Sequence, residues 1–244
     1  MINKTTVFAV ATLSLIGGLA SSLYAKHADQ SSPACLLSPH EKGVEVLLSG
    51  KDEDQAENWI SGDGSPAAWL AVDHALQSKK QNIKTKKQYR NYQLHTEFKV
   101  PYMPNAKGQG RGNSGIGLQG VYEIQVLDSF GIAEPGSGDC GSVYNQTAPL
   151  TNACKAPLEW QSYDIIFRAP RFKDGIKSEN ARVTVFQNGI LVQNNTEITG
   201  GTGIGGPEPK KESDGPIVLQ YHGNDVQFRN VWIKPLPDHG SLKY

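Results

Sequence analysis

The feature that most constrains this chain is a period-two alternation of apolar and polar side chains, carried in short runs broken by Gly, Pro and Asn. Leu94, Thr96, Phe98 and Val100 alternate with His95, Glu97 and Lys99. Tyr122, Ile124 and Val126 alternate with Glu123, Gln125 and Leu127. Successive strand side chains point to opposite faces, so each run reads as a half-buried strand. Further runs lie at Ile165 to Arg168, Arg182 to Gln187, Ile190 to Val192, Ile217 to His222 and Val226 to Ile233. Asn188-Gly189 between two of them is a strong hairpin signal, because a type I′ turn needs positive φ at both central residues. Gly223-Asn224 reads as the turn of a second hairpin. No segment after the N-terminal apolar run carries a capped helical period; Trp69 to Gln77 comes nearest and suits a strand equally well. Many short strands with this punctuation predict an all-β fold in a single domain, a β-sandwich or a jelly roll.

The chain has 244 residues, enough for one such core. Lys4 followed by an uncharged apolar run and then Leu23-Tyr24-Ala25 reads as a signal peptide over residues 1–25, cut after Ala25. The core from Val7 to Leu19 is short and interrupted by Gly17 and Gly18, which disfavours an uncleaved anchor against the ~20 apolar residues a span needs. The expected locations are therefore secreted or periplasmic, with no stable membrane span after cleavage. Residues 26–42 read as a polar leader, 43–237 as the folded domain and 238–244 as a tail. The 24 basic and 24 acidic side chains balance, which excludes long-range attraction to nucleic acid. Six positive residues between Lys79 and Arg90 read as a solvated edge strand or turn. The loops Pro101 to Gly112 and Gly200 to Pro216 are long, Gly-rich and Pro-rich, a composition expected to stay unpacked. The three cysteines permit one disulfide. Cys140 and Cys154 flank a Gly/Asn/Pro-rich loop and are expected to pair, closing a loop of about 15 residues for roughly 3 kcal/mol. Cys35 is then free or bridges two chains.

Alternation also says which polar groups share a face. Glu97 points opposite to Phe98, Glu123 projects with Gln125, Gln220 with His222, and Arg229 opposite to Phe228. If these strands share one sheet, two carboxylates, two amides, a histidine and an arginine converge on one surface. With Asn113, Tyr144 and Trp160 nearby, those residue types suit a carbohydrate partner better than a merely solvated face. Glu123-Ile-Gln-Val-Leu-Asp128 resembles the Glu-x-Asp-x-Glu strand of retaining glycosidases of the laminarinase and lichenase type, with Gln125 for the central Asp and Asp128 for the last Glu. Retaining hydrolysis needs its two carboxyl groups about 5–5.5 Å apart, and Asp is one methylene shorter than Glu. A retaining β-glucanase is therefore the weaker reading.

Asn113-Ser114-Gly115-Ile116, Tyr122 to Asp128, Gly141-Ser142-Val143-Tyr144, Glu159 to Asp164, Asn188-Gly189 and Gly215 through Ile233, opened by Leu47 to Asp52 and Trp59, together resemble the 3-keto-disaccharide hydrolase domain family. Gln161 and Tyr221 depart from that pattern, standing where Asn and Asp are commoner. The resemblance implies a concanavalin A-like jelly-roll β-sandwich of two antiparallel sheets, export and action on glycosides oxidised at C3. A ketone at C3 acidifies the C2 proton, so a base can remove it and expel the C1 substituent, after which water adds to the enone. Such a site needs one base and an oxyanion stabiliser. Glu123 and His222 are the candidate bases. Arg229, Gln125 and Gln220 are the candidate stabilisers, with Glu97, Asn113, Asp128, Tyr144 and Trp160 completing the expected substrate-binding set. No cofactor is required, although Glu97, Glu123 and His222 would also suit a divalent metal. A non-catalytic carbohydrate-binding module using Trp160, Tyr144 and Arg229 is the alternative.

Overall fold

A computed structural model describes Leu36, residues 38–49 and residues 56–239. The expected signal peptide, most of the leader, Cys35, Lys51-Asp52 and the last five residues lie outside the described residues. The described residues all belong to one compact unit. Among them no helix is long and apolar enough to cross a membrane.

The fold is a concanavalin A-like jelly-roll sandwich of two antiparallel sheets. The larger sheet contains β1 (Glu45–Leu48), β3 (Leu70–Val72), β4 (Ala75–Gln77), β6 (Tyr92–Lys99), β9 (Gln161–Arg168), β12 (Ala181–Gln187), β13 (Ile190–Ile198) and β15 (Gln227–Pro235). The smaller contains β2 (Trp59–Ser61), β5 (Ile83–Thr85), β7 (Ser114–Leu118), β8 (Tyr122–Val126) and β14 (Val218–Leu219). The strand orders are β13-β12-β9-β6-β15-β4-β3, with β1 also on β15, and β2-β5-β14-β7-β8. A separate ribbon joins β10 (Arg171–Lys173) and β11 (Ile176–Glu179). Phe98, Tyr163, Phe167 and Phe228 of the larger sheet meet Ile116, Ile124 and Leu219 of the smaller in one buried core. The Phe98 and Tyr163 rings lie 4.8 Å apart, centroid to centroid.

Local chemistry sets the turns. Asn188 and Gly189 both take positive φ between the paired Gln187 and Ile190, as a type I′ hairpin requires. Trp69 to Gln77 resolves into the β3–β4 hairpin, turned by Asp73 and His74 at φ 47° and 61°.

Several expectations are corrected. The strands read as half-buried are buried on both faces: β8 is buried throughout, like its partner β7, and His95 and Glu97 of β6 are inaccessible on the face away from the core. Of the basic run from Lys79 to Arg90, the strand alternative is the part that fails, because β5 lies between β2 and β14 and is no edge; Lys79, Lys80, Lys86 and Lys87 stand exposed in the turns on either side of it. Part of the Gly200 to Pro216 segment packs, with Thr202, Ile204 and Gly215 buried and the rest largely exposed; Ile204 lies against Gly117, and the chain passes so close to the β7–β8 turn that any Cβ on Gly205 would overlap the Gly120 carbonyl. Finally, Gly223-Asn224 does not turn a hairpin, because β14 belongs to the smaller sheet and β15 to the larger. The bend carries the chain from one sheet to the other, and Leu219 and Phe228 still face the same core from opposite sides.

Candidate active site on the smaller sheet

The core-facing residues of β7, β8 and β14 are Ile116, Ile124 and Leu219, so the residues between them point outward. Gly115 is registered with Gln125 and Gly117 with Glu123. Gln220 extends β14 beside Gly115, its amide N–H donating to the Gly115 carbonyl. Beyond β8 the chain returns as one further extended segment. Val143 bridges Ile124, the Tyr144 N–H donates to the Glu123 carbonyl, and the Gln125 N–H donates to the Ser142 carbonyl. That pairing puts Tyr144 opposite Glu123 and Ser142 opposite Gln125. Asn113, Glu123, Gln125, Tyr144 and Gln220 thus share one polar face. Ser142 belongs to it too, although sequence alternation missed it for want of a recognisable strand around it.

Glycine shapes this face. The Glu123 carboxyl leans across the strand and occupies the space that a side chain at Gly115 would fill. Glu123 itself is 3% exposed. Its backbone N–H donates to Thr202 Oγ1 at 2.7 Å, which ties β8 to the Gly200–Pro216 segment. Burial removes water from the carboxylate and pushes the Glu123 pKa up to about 8. With the Gln125 amide oriented to satisfy its surroundings, its nitrogen donates to Glu123 Oε1 at 3.2 Å and to the Ser114 carbonyl at 2.8 Å. Asn113 is fixed at both ends: its backbone N–H donates to Asn224 Oδ1, and its side-chain amide donates to the Gln109 carbonyl, each at 2.7 Å. Gln220 Oε1 is buried without a hydrogen-bond partner among the described residues. His222, exposed in the bend two residues further on, is nearby in sequence.

The family model of the 3-keto-alpha-glucoside-1,2-lyase-like domain matches residues 43–234, which include every residue of this face. The chain belongs to that family. A crystal structure from Parabacteroides distasonis ATCC 8503, of a protein given the provisional description of glycosyl hydrolase, is similar at 43% identity with a TM-score of 0.72. The likeness covers 80% of this chain and 84% of that one. A second structure from the same organism, given the same description, has 24% identity and a TM-score of 0.58 over 83% of this chain and 99% of that one, and supports the fold. No curated protein sequence matches. The chain is thus a carbohydrate-active, glycosyl-hydrolase-like member of the lyase-like family.

Not every expected site residue of this family member comes together. Glu97 and Arg229 lie on the larger sheet, with side chains directed away from the core that separates them from Glu123. Arg229 Nε donates to Glu97 Oε2 at 2.7 Å and the guanidinium stacks 4.1 Å from the Trp160 ring centroid. Lys99 lies over the same ring at 4.9 Å, and burial there lowers its pKa. Trp160 is thus covered by two cations. Next to this cluster, the His95 ring stacks on Trp232 and its Nδ1 lies 2.8 Å from Asp164 Oδ1. A bulge between Arg229 and Trp232, with Asn230 at φ 50°, turns both side chains outward although their spacing would put them on opposite faces. Without that bulge, alternation misplaces Trp232.

The metal set Glu97, Glu123 and His222 is likewise not assembled, since Glu97 is on the other sheet. Among the described residues no group of three or more His, Cys, Asp or Glu stands close enough to hold a metal ion. The expected Cys140–Cys154 bridge is not formed either. The two thiols are free, Cys140 buried and Cys154 partly so. Cys140 Sγ lies 3.0 Å from Tyr163 Oη, and Gln187 Nε2 donates to Cys154 Sγ at 3.3 Å, so each sulfur has a polar neighbour other than its expected partner. Asp128 lies past the end of β8, where Arg111 Nε meets its Oδ2 at 3.2 Å.

Proposed function

We propose that this chain is an exported enzyme that cleaves the glycosidic C–O bond of 3-keto-glycosides, with Glu123 as the proton-transferring group. The observation that carries the reading is a buried carboxyl of near-neutral pKa, lying over a glycine on a face otherwise lined by amides and a tyrosine. A base of this pKa is matched to a carbon acid activated by a neighbouring ketone. Ionised Glu123 takes the C2 proton, and the electrons of the broken C–H bond pass into the enolate at O3. Collapse of the enolate forms the C1–C2 double bond and breaks the bond from C1 to the glycosidic oxygen. That oxygen receives the proton now held by Glu123. Addition of water at C1, with a proton returned to C2, converts the enone to the free 3-keto-sugar. The amide nitrogen of Gln220 and the Tyr144 hydroxyl are the donors available on this face to the enolate oxygen, while the Gln125 amide nitrogen is engaged with Glu123 and the Ser114 carbonyl. This chemistry requires no cofactor.

The purified protein mixed with a 3-keto-glucoside carrying a chromogenic aglycone is expected to release that aglycone. Glu123→Gln keeps the shape of the side chain but cannot take a proton, and is expected to lower the rate at least about 100-fold. Release undiminished in that variant overturns the role of Glu123. Binding without release by the unaltered protein overturns the enzyme reading.

A further inference from the structure

Where the ends of β6, β8 and the approach to β9 meet, the chain forms a second cleft of about 360 Å³, walled by Tyr102, Met103, Phe130 and Pro157, with Arg111 and Asp128 also lining it. It does not include the Glu123 face. Its two aromatic rings are accessible, Tyr102 at 65% and Phe130 at 52%, in a protein whose other large aromatics are mostly packed. Isolated exposed rings need no explanation, but two on one cleft with a fixed polar pair are a different case.

The polar pair is rigid. Arg111 Nε and Nη2 donate to the Asp128 carbonyl at 3.2 Å and 2.9 Å, and Nε also meets the Asp128 carboxylate at 3.2 Å. The Asp128 N–H donates back to the Arg111 carbonyl at 3.1 Å. Asp128 Oδ1 accepts from the Phe130 N–H at 3.2 Å, so the same carboxylate that holds the arginine also fixes the backbone of the exposed ring. Arg111 Nη1 makes no hydrogen bond among the described residues. The cleft therefore offers two accessible aromatic rings beside a charged donor held in a fixed position.

We infer that this cleft is a sugar-binding subsite that takes a neutral pyranose ring apart from the Glu123 face. A pyranose has the matching chemistry. Its axial C–H groups form an apolar face that covers an aromatic ring, and its equatorial hydroxyls project from the rim, where arginine donates and the aspartate accepts. The paired charges favour a neutral ligand over an anionic one. The inference goes beyond the reading of Glu123, because binding here needs neither oxidation at C3 nor cleavage.

The test is calorimetric titration of the purified protein with cellobiose, maltose and trehalose. At least one is expected to bind in the millimolar range, and Tyr102→Ala and Phe130→Ala are each expected to weaken it about tenfold, as removal of an aromatic anchor does. Both rings are largely exposed, so these variants should fold. Glu123→Gln is expected to bind the disaccharide undiminished. Absence of binding by the unaltered protein to all three sugars overturns the inference, as does binding that survives loss of both rings. If binding depends on Phe130 while no 3-keto-glucoside is cleaved, the subsite stands and the proposed chemistry falls.

Discussion

At the scale of single residues, Glu123 ties the proposed chemistry to stability. Its carboxyl titrates near 4.5 when exposed and about 8 when folded. Between those values the folded chain holds a proton that the unfolded chain has lost. Stability is therefore full below about pH 4.5 and falls as pH rises towards 8, by up to about 1.4 kcal/mol per pH unit from this group. Denaturation midpoints measured across that range should decline for the unaltered protein and decline less steeply for Glu123→Gln. The same titration governs the proposed activity: kcat/KM should rise with pH and level off above about 8, because the base must be ionised. Gly115 is the complementary residue. The carboxyl lies where a side chain at this position would stand, so the Gly115 codon and the Glu123 codon specify one feature between them.

At the scale of elements, the Gly200–Pro216 segment shows why composition misled. Glycine and proline in a long stretch usually mean a loop with nothing to bury. Here glycine is what permits packing, since only a residue without Cβ brings Gly205 up to the Gly120 carbonyl and Gly215 up to Gln119. Gly205→Ala should therefore destabilise the fold by about 1–3 kcal/mol through that overlap, as read by chemical denaturation. Loosening should spread to β8, because Thr202 of the same segment accepts the Glu123 N–H. By contrast, the hairpin at Asn188-Gly189 and the strand from Tyr122 to Val126 were legible from residues alone, because turn geometry and period two are local properties.

At the scale of the whole molecule, the decisive fact is that the polar site candidates divide between two outer faces. Glu97 and Arg229 form a partly buried ion pair under Trp160 on the larger sheet, while Glu123, Gln125 and Gln220 occupy the smaller. Removing Arg229 takes its ion-pair cation from the buried Glu97 carboxylate. Arg229→Ala should consequently cost about 3 kcal/mol of stability while leaving kcat for the folded protein unchanged, a split that thermal melts and initial rates on one preparation would register. A proportionate fall in kcat would return Arg229 to the site.

The sequence by itself determined the main strands, the Asn188-Gly189 turn and, away from the bulge at Asn230, which side chains on a strand point the same way, because these follow from the geometry of neighbouring residues. It also marked Asn113, Glu123, Gln125, Tyr144 and Gln220, which do share a face. Only the tertiary structure decided which sheet each strand joined. Leu219 and Phe228 satisfy the same rule by facing one core from opposite sides, and alternation is blind to which side that is. For that reason Arg229 and Glu97, indistinguishable in pattern from the residues around Glu123, lie on the far side of the core. The burial that raises the Glu123 pKa also comes from segments distant in sequence, and no local pattern around Glu123 encodes it.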